Sequence, residues 1–449
     1  MESEVTLMEM LEAREARVRA QEDLHKRYGA PVISFTLNIA GPVKDSPLIR
    51  RAFRAGQAQL EVGLTSARLP VLERVEHLAP TGCEALYAVG GTAHEIKTVC
   101  VSIEEASPLG RLFDMDVLDR DCHKLDREKP RNCIVCGAPG KGCASRRVHS
   151  VEELQTATRR IMEEYFAADD GEKVSSLATR ALLDEVCTTP KPGLVDRANN
   201  GSHRDMDIFT FTASIASLAP YWGKCFQIGR KTAALTPAET FQSLKQSGQG
   251  AERTMFAATG GVNTHKGVIF SLGLICGAAG RLWRAEAPCR DPEVILAECA
   301  SMVSAAVEKD FAALSPDSAR TAGEQVYLER GLTGVRGEAA QGFPGVLHTA
   351  LPVLEYALKS GRSKNDAGVI ALLHLIARGT DTNMVARGGL EKTKKAAEDC
   401  TQLVKRSPLP EMEEIARLDQ EFIRDNLSPG GCADLLAAAF FLRSWNEIR

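Results

Sequence analysis

The sequence predicts two domains of different fold class, an α+β domain followed by an all-α domain. Segments that alternate like strands, such as PVISFTLNIAG (31–41), are confined to the first third of the 449 residues. From about residue 174 onward, apolar residues recur at helical spacing and β-branched runs are scarce. The polar segment AADDGEK separates the two patterns. We therefore expect an α+β domain over 1–166, a linker over 167–173 and an all-α domain over 174–449.

In the N-terminal domain, helices are predicted over 6–27 and 47–63. The segments CEALYAVGG (83–91) and EIKTVCVSIEE (95–105) are expected to pair as strands around a Gly90-Gly91-Thr92 turn. Ser150 followed by Glu153 has the spacing of a capping box and predicts the start of a helix.

The second domain is expected to be a helical assembly with polar connections. The pattern predicts helices over 174–187, 207–229, 238–256, 264–284, 292–313, 344–359, 366–377, 388–406, 411–424 and 432–447.

Composition excludes several classes of protein. The net charge of −4 provides no basic field for nucleic acid or for an anionic membrane. The most apolar runs are shorter than the roughly 20 residues that a membrane span requires. The N-terminal segment mixes acids and bases and lacks the features of a secretory signal. With thirteen cysteines read as reduced thiols, we expect a cytoplasmic protein with no nucleic-acid partner and no membrane association.

Five connections in the second domain are rich in Gly, Asn, Asp, His and Arg: 188–207, 258–267, 330–345, 377–389 and 426–434. Glycines before a helix free the backbone N–H groups to bind an anion, and a lysine adds positive charge. Ordinary helix capping is the alternative for either glycine-rich opening taken alone. Taken together, they predict a polyphosphate ligand contacted by Lys191, Asn200, Gly260, Gly261, Asn263, Lys266, Arg336, Arg387, Ser428, Gly430 and Gly431.

Carboxylates in the same connections suggest Mg²⁺, which binds through a few carboxylates and substrate phosphates. The predicted ligands are Asp205, Asp207 and Asp381, and further acids in these segments are Asp196, Glu338 and Asp434. For any one of the acids, N-capping of a helix is the alternative role. Two histidines in polar loops, His203 and His265, are candidate acid–base groups.

In the N-terminal domain, Asp114 and Asp116 stand two apart in GRLFDMDVLD. On a strand both carboxylates would share one face and hold Mg²⁺ for nucleotidyl transfer; a solvated edge strand is the alternative. Lys44, Arg50 and Arg51 could bind phosphates or form a solvated basic helix face.

A candidate zinc site follows in CIVCGAPGKGC and the histidine beyond it. Its four soft ligands are Cys133, Cys136, Cys143 and His149. The paired second knuckle of the common zinc motifs is missing, so reduced structural thiols are the alternative.

The motifs resemble two known families. TTPKPGLVDRANNGSHRDMD, TGGVNTHKGVIFSLG, LTGVRGEAAQGFPGV, DTNMVARGG and SPGGCADLLA follow in order over 174–449 and are similar to triphosphoribosyl-dephospho-coenzyme A synthases. PVISFTLNIAGPVKDSPLIRRAF, PLGRLFDMDVLD and CIVCGAPGKGCASRRVHSVEEL, over roughly 5–165, resemble the citrate lyase holo-acyl-carrier-protein synthases. Together they look like the bifunctional fusion that makes and attaches the citrate lyase prosthetic group.

This resemblance implies two reactions. In the C-terminal domain, the 2′-hydroxyl of 3′-dephospho-coenzyme A attacks C1′ of the ATP ribose and adenine leaves. In the N-terminal domain, a serine of the apo-acyl-carrier protein, the γ subunit of citrate lyase, attacks the α-phosphorus of that product and pyrophosphate leaves. We expect Asp196 or Glu338 to activate the hydroxyl, His203 or His265 to assist adenine departure, and Lys191, Lys266 and Arg387 to contact phosphates.

Three alternatives stay open at this point. All-α domains with loop aspartates also hydrolyse ADP-ribosyl glycosides, and GTDTN (379–383) is similar to that group. Malonate decarboxylase assembly uses the same prosthetic group. A non-catalytic interaction protein built around a zinc site at 133–149 is the third.

Overall fold

The computed structural model describes residues 4–139, 143, 146–379 and 381–448. The chain forms two compact units, Met1–Ala168 with Ala285–Ala287, and Asp169–Arg284 with Pro288–Arg449. Among the described residues, we find no helix of the length and apolarity that a bilayer span would need.

The first unit contains a four-stranded antiparallel sheet in the order β2-β3-β1-β4. At its centre, Ile33 of β1 lies opposite Tyr87 of β3 and Val117 of β4, and all three side chains are buried. The elements, in chain order, are α1 (Leu7–Tyr28), β1 (Val32–Leu37), α2 (Pro47–Ser66), β2 (Val71–Ala79), β3 (Gly82–Val89), α3 (Ala93–Ala106) and β4 (Phe113–Leu118).

An aromatic cluster joins α2 to the sheet. The ring of Phe35 stacks on Phe53 with centroids 4.9 Å apart and meets Phe113 edge-on at 5.5 Å. A Cβ on Gly56 would lie 2.4 Å from the Phe35 ring, so glycine permits this close approach of helix to strand. The α+β class expected for this region is confirmed.

The predicted pairing of 83–91 with 95–105 is wrong. Residues 95–105 lie in helix α3, which begins at a capping box between Thr92 and Glu95. Its buried residues Ile96, Cys100 and Ile103 recur at helical spacing. This helical period, and not the strand preference of the β-branched residues, decides the secondary structure of the segment. The hairpin partner of β3 is instead β2.

The predicted linker over 167–173 is also helical. Helix α4 (Val151–Cys187) is continuous through it. The acids of this segment are used within the helix, because Asp169 pairs with Lys173 at 2.6 Å and Asp170 accepts a 2.7 Å hydrogen bond from the indole of Trp283. The predicted helix start is confirmed, since Ser150 and Glu153 form both bonds of a capping box, at 2.8 and 3.1 Å.

Every regular element that the structure describes in the second unit is a helix, as predicted. After α4 come α5 (Ile208–Lys231), α6 (Pro237–Ala258), α7 (Lys266–Arg281), α8 (Pro292–Ala312), α9 (Ala322–Arg330), α10 (Gly334–Ala340), a π-helical turn (Val346–Ala350) leading into α11 (Leu351–Lys359), α12 (Lys364–Ile376), α13 (Thr382–Gly388), α14 (Leu390–Arg406), α15 (Met412–Arg424) and α16 (Gly430–Glu447). The short helices α9, α10 and α13 were not predicted, because each is too short to show a periodic apolar face.

Helices α5 and α7 pack at backbone contact. A Cβ on Gly229 would lie 1.9 Å from the carbonyl oxygen of Gly277, and one on Gly280 would lie 2.1 Å from that of Phe226. Helix α7, which follows the loop at 258–267, is therefore held against helix α5, which follows the loop at 188–207.

We expect Gly229→Ala to lower the free energy of unfolding of the second unit by about 1–3 kcal/mol, because the added methyl overpacks the contact. Gly250→Ala in α6 is the matched control, since the nearest atom to its Cβ would be the far end of Arg253 at 3.9 Å. That control should be neutral or stabilise by up to about 1 kcal/mol. All three tryptophans, Trp222, Trp283 and Trp445, belong to this unit, so urea unfolding followed by tryptophan fluorescence measures it. Equal midpoints for the two variants would contradict the packing.

Candidate functional site

The second unit contains a cavity of about 840 Å³. All five glycine-rich connections line this cavity, although they are far apart in the sequence. They contribute Lys191, His203 and Asp205; Asn263, His265 and Lys266; Thr333 and Arg336; Thr382 and Arg387; and Ser428, Gly430, Gly431 and Asp434.

The loop at 188–207 is held in shape by two buried carboxylates. Asp196 accepts hydrogen bonds from the backbone N–H groups of Lys191, Ala198 and Asn199 at 2.7–3.0 Å. Asp419 of α15 accepts from the Gly193 N–H and from the Asn199 amide, both at 2.9 Å. Asp196 does not line the cavity, so its observed role is to organise the loop.

Glycine is required at the start of this loop. Gly193 has a φ of 70°, and a Cβ there would lie 2.1 Å from the carbonyl oxygen of Leu427. The loop is thereby in backbone contact with the segment that leads into α16. The importance of Asp419 was missed by sequence reasoning, although an aspartate between Ile415 and Phe422 on the buried face of α15 was a signal.

Lys191 and Glu185 form a buried ion pair on the cavity wall. Burial raises the pKa of Glu185, while Lys191 opposes that shift. Glu185 lies at the end of an apolar helix and was not predicted as a site residue.

His265 is buried between α5 and the cavity. Its Nδ1 lies 2.7 Å from the hydroxyl of Ser214, which accepts a 2.8 Å hydrogen bond from the hydroxyl of Thr264. Ser214 is therefore the hydrogen-bond partner of Nδ1. Nε2 has no partner among the described residues. Burial lowers the pKa of His265 to about 3, so the ring is neutral near pH 7.

His203 also lines the cavity. Its Nε2 lies 2.8 Å from the hydroxyl of Ser428, and its Nδ1 lies 3.9 Å from Asp205. Burial, and secondly the charge of Arg387, lower the pKa of His203. Arg387 donates to the Asn426 side chain at 3.0 Å and to the Ser202 carbonyl, so it connects the first and last loops at the cavity.

Two of the three predicted magnesium ligands act as helix caps. Asp207 caps α5 by accepting from Thr210 N–H at 2.8 Å. Asp381 caps α13 through Oδ1, and its Oδ2 accepts from the Cys432 N–H of α16 at 2.9 Å. Neither lines the cavity, whereas Asp205 does. Within the described ranges, the potential metal-ligand groups include none of the three.

Glu338 lies outside the main cavity. It accepts from the Gly345 N–H at 2.8 Å and pairs with Arg378 at 2.8 Å, and it lines a separate cavity of about 180 Å³ together with Asp381. Asn200, Gly260 and Gly261 are likewise not on the main cavity wall. Gly260 and Gly261 adopt positive φ of 64° and 92° and shape the turn before α7.

Several further acidic residues line the cavity. Glu252 lies 3.4 Å from Lys266, and Glu324 lies 3.4 Å from Arg336. Asp310 is exposed. Burial, followed by the charges of Glu185 and Asp381, raises the pKa of Asp434 well above its usual range.

In the first unit, Asp114 and Asp116 lie on the same face of β4, as predicted, and alternate with buried Phe113, Met115 and Val117. Asp116 pairs with Lys124. Burial, and secondly Asp116, raise the pKa of Asp114, while Lys124 and Arg131 oppose the shift. Lys124 and Arg131 were not among the predicted residues.

The predicted phosphate-binding group is engaged elsewhere. Arg50 makes a two-pronged pair with Asp45 at 2.6 and 2.7 Å. Arg51 stacks on Phe166 at 4.0 Å and donates to the Ala285 carbonyl at 2.8 Å. Lys44 donates to the Ile39 carbonyl.

The predicted zinc ligands come together. Ligand atoms of Cys133, Cys136, Cys143 and His149 all lie within 4.8 Å of one another, and the Cys136 and Cys143 sulfurs are 3.5 Å apart. Nε2 of His149 is buried and has no hydrogen-bond partner among the described residues.

Two family models match the chain. Residues 171–449 match ATP:dephospho-CoA triphosphoribosyl transferase, and residues 5–165 match apo-citrate lyase phosphoribosyl-dephospho-CoA transferase.

Two similar proteins match nearly the whole chain, and a third matches about two thirds of it. Protein CitXG of Haemophilus influenzae is 34% identical over 99% of this chain and 97% of its own length. Protein CitXG of Leuconostoc mesenteroides subsp. cremoris is 31% identical over 98% and 97%. The 2-(5''-triphosphoribosyl)-3'-dephosphocoenzyme-A synthase of Pectobacterium atrosepticum is 40% identical over 64% of this chain and 93% of its own length. The chain therefore belongs to the CitXG family and is a bifunctional transferase, with the apo-citrate lyase transferase domain first and the triphosphoribosyl transferase domain second.

Proposed function

We propose that the cavity of the second unit binds ATP and 3′-dephospho-coenzyme A and transfers the triphosphoribosyl group with release of adenine. The observation that carries this proposal is the convergence of all five glycine-rich connections on one cavity of about 840 Å³. Pockets of roughly 300–1,000 Å³ are typical of nucleotide-sized ligands.

The cavity wall suits a triphosphate. The first turns of α7 and α16 both line it, with Lys266 and Gly267 in one and Gly430 and Gly431 in the other. Helix N-termini direct unpaired N–H groups and positive dipole ends towards anions. Arg336 and Arg387 add two guanidinium groups on the same wall.

Magnesium fits this wall in part. Asp205 is the one predicted ligand that lines the cavity, and its side chain is 65% exposed and therefore accessible. Since Mg²⁺ in such sites is held by one or two carboxylates and by substrate phosphates, Asp205 can hold the ion beside the triphosphate. The bound ion would neutralise the phosphate charge. Asp207 and Asp381 would act by holding the loops on either side.

Of the two histidines, His265 is the better candidate to assist adenine departure. His265 lines the cavity and its Nε2 has no partner among the described residues, so the neutral imidazole, when protonated on Nε2, can donate a hydrogen bond to a leaving base that gains electrons. His203, in contrast, uses Nε2 on Ser428.

We further propose that the first unit attaches the product to a serine of the apo-acyl-carrier protein of citrate lyase and releases pyrophosphate. Asp114 and Asp116 share one strand face, which suits the metal of a nucleotidyl-transfer site. Lys124 and Arg131 provide positive charge beside these acids. We also propose that both reactions take place in the cytoplasm, because none of the thirteen cysteines forms a disulfide bond.

We also propose a structural zinc ion on Cys133, Cys136, Cys143 and His149. A zinc tetrahedron with Zn–S bonds of about 2.3 Å has edges of about 3.8 Å, close to the observed Cys136–Cys143 spacing of 3.5 Å. The unpaired, buried Nε2 of His149 is a suitable fourth ligand. Zinc would crosslink the segment that follows Arg131, whose guanidinium pairs with buried Glu104.

The first test is adenine release from ATP by the purified protein. We expect release only when 3′-dephospho-coenzyme A is present, because the acceptor hydroxyl is the nucleophile. Release at the same rate without the acceptor would favour glycoside hydrolysis.

Asp114→Asn should keep adenine release and lose transfer to apo-acyl-carrier protein, since the two reactions belong to different units.

Lys266→Ala should raise the KM for ATP about tenfold, which corresponds to about 1.4 kcal/mol of lost phosphate binding. Lys395→Ala is the matched control, because that lysine is exposed on α14 and lies outside the cavity. The measurement is steady-state adenine release, and identical KM values for the two variants would contradict a phosphate contact.

The purified chain should contain about one zinc ion per molecule by elemental analysis. Cys136→Ser should lose the ion, whereas Cys122→Ser, also an exposed cysteine but outside the cluster, should retain it. Zinc content equal in the two variants would disprove this site. Adenine release should stay unchanged in both variants, since it belongs to the other unit.

A further inference from the structure

The cavity requires a base for the acceptor hydroxyl, and the two acids expected for this role are otherwise occupied. Asp196 accepts three backbone hydrogen bonds and lies away from the cavity wall. Glu338 pairs with Arg378 and lines the other cavity.

Most acids on the cavity wall are also paired or fully solvated. Glu185, Glu252 and Glu324 each face a cation, namely Lys191, Lys266 and Arg336. Asp205 and Asp310 are exposed to solvent. A base for an alcohol needs a carboxylate that is accessible to the ligand, free of cations and shielded from water.

Asp434 comes closest to these conditions. It is the fifth residue of α16, is half-buried and lines the cavity, and its carboxylate has no hydrogen bond or ion pair among the described residues. Burial, and secondly the neighbouring carboxylates Glu185 and Asp381, raise the pKa of Asp434 and so favour its taking up a proton.

A glycine at position 267 leaves space for the Asp434 carboxylate. A Cβ on Gly267 would lie 1.9 Å from Oδ2 of Asp434, so glycine in the first turn of α7 leaves the space that the carboxylate occupies. Any other residue at 267 would displace it. The Asp434 carboxylate is thus placed on the cavity wall beside the first turn of α7.

We propose that Asp434 is the general base of the triphosphoribosyl transfer. This inference rests on the proposed function of the second unit. The 2′-hydroxyl gives its proton to the Asp434 carboxylate while its oxygen forms a bond to C1′ of the ATP ribose. The bond from C1′ to the adenine nitrogen breaks, adenine leaves with the electron pair and takes a proton from water, and Asp434 returns its proton to solvent. Charge and atoms balance without a further reactant.

The test is acceptor-dependent adenine release by Asp434→Asn and Asp434→Ala. We expect kcat to fall about 10²–10⁴-fold, the usual contribution of a general base, with KM for ATP changed by less than about threefold. Added formate should restore part of the kcat of Asp434→Ala, because a small carboxylate can occupy the vacated space. Tryptophan fluorescence confirms that both variants are folded.

Several results would overturn the assignment. An Asp434→Asn variant that keeps more than about a tenth of the wild-type kcat shows that another group takes the proton. A folded Asp434→Ala variant that is inactive and is not rescued by formate shows that Asp434 only positions its neighbours. A loss of kcat in Glu338→Gln with none in Asp434→Asn would return the role to Glu338. If wild-type protein itself shows no acceptor-dependent release, the proposed function fails together with the base, and this result is distinct from the others.

Discussion

The site in the second unit depends on buried carboxylates that accept hydrogen bonds from loop backbone. Loops rich in glycine expose N–H groups that have no helical partner, and a buried unpaired N–H costs about as much as a lost hydrogen bond. Asp196 and Asp419 satisfy such groups in the loop at 188–207, and Asp381 joins α13 to the start of α16. These contacts hold the connections against the helices α13, α15 and α16.

This constraint divides the acids of the unit into two groups. The first, Asp196, Asp207, Asp381 and Asp419, accepts backbone hydrogen bonds and holds shape. The second, which includes Asp205 and Asp434, lines the cavity and accepts no hydrogen bond from the described backbone. The same residue type in the same kind of loop therefore has opposite roles, and the difference is which oxygens the backbone already uses.

Close backbone packing sets the geometry of the cavity wall. The glycine contacts between α5 and α7 and between Gly193 and Leu427 bring three loops within reach of one ligand. A side chain at any of these positions would push a loop outward by an ångström or more. Since catalytic groups must be held within about 0.5 Å of their productive geometry, the glycines matter for chemistry as well as for packing.

The sequence by itself determined the helical character of 174–449 and the five glycine-rich connections that line the cavity, because hydrophobic period and glycine content are local properties. It also identified the Asp114–Asp116 face and the cysteine–histidine cluster, whose members are close in sequence. The helix at 95–105 also had a local signal, the capping box of Thr92 and Glu95. Only the tertiary structure decided the helical state of 167–173, where a hydrogen bond from the distant Trp283 to Asp170 outweighs local polarity. The tertiary structure alone also distinguished the unpaired Asp434 from Asp196, Asp381 and Glu338. Whether a carboxylate is free depends on hydrogen-bond partners that can be distant in sequence, as Cys432 is from Asp381.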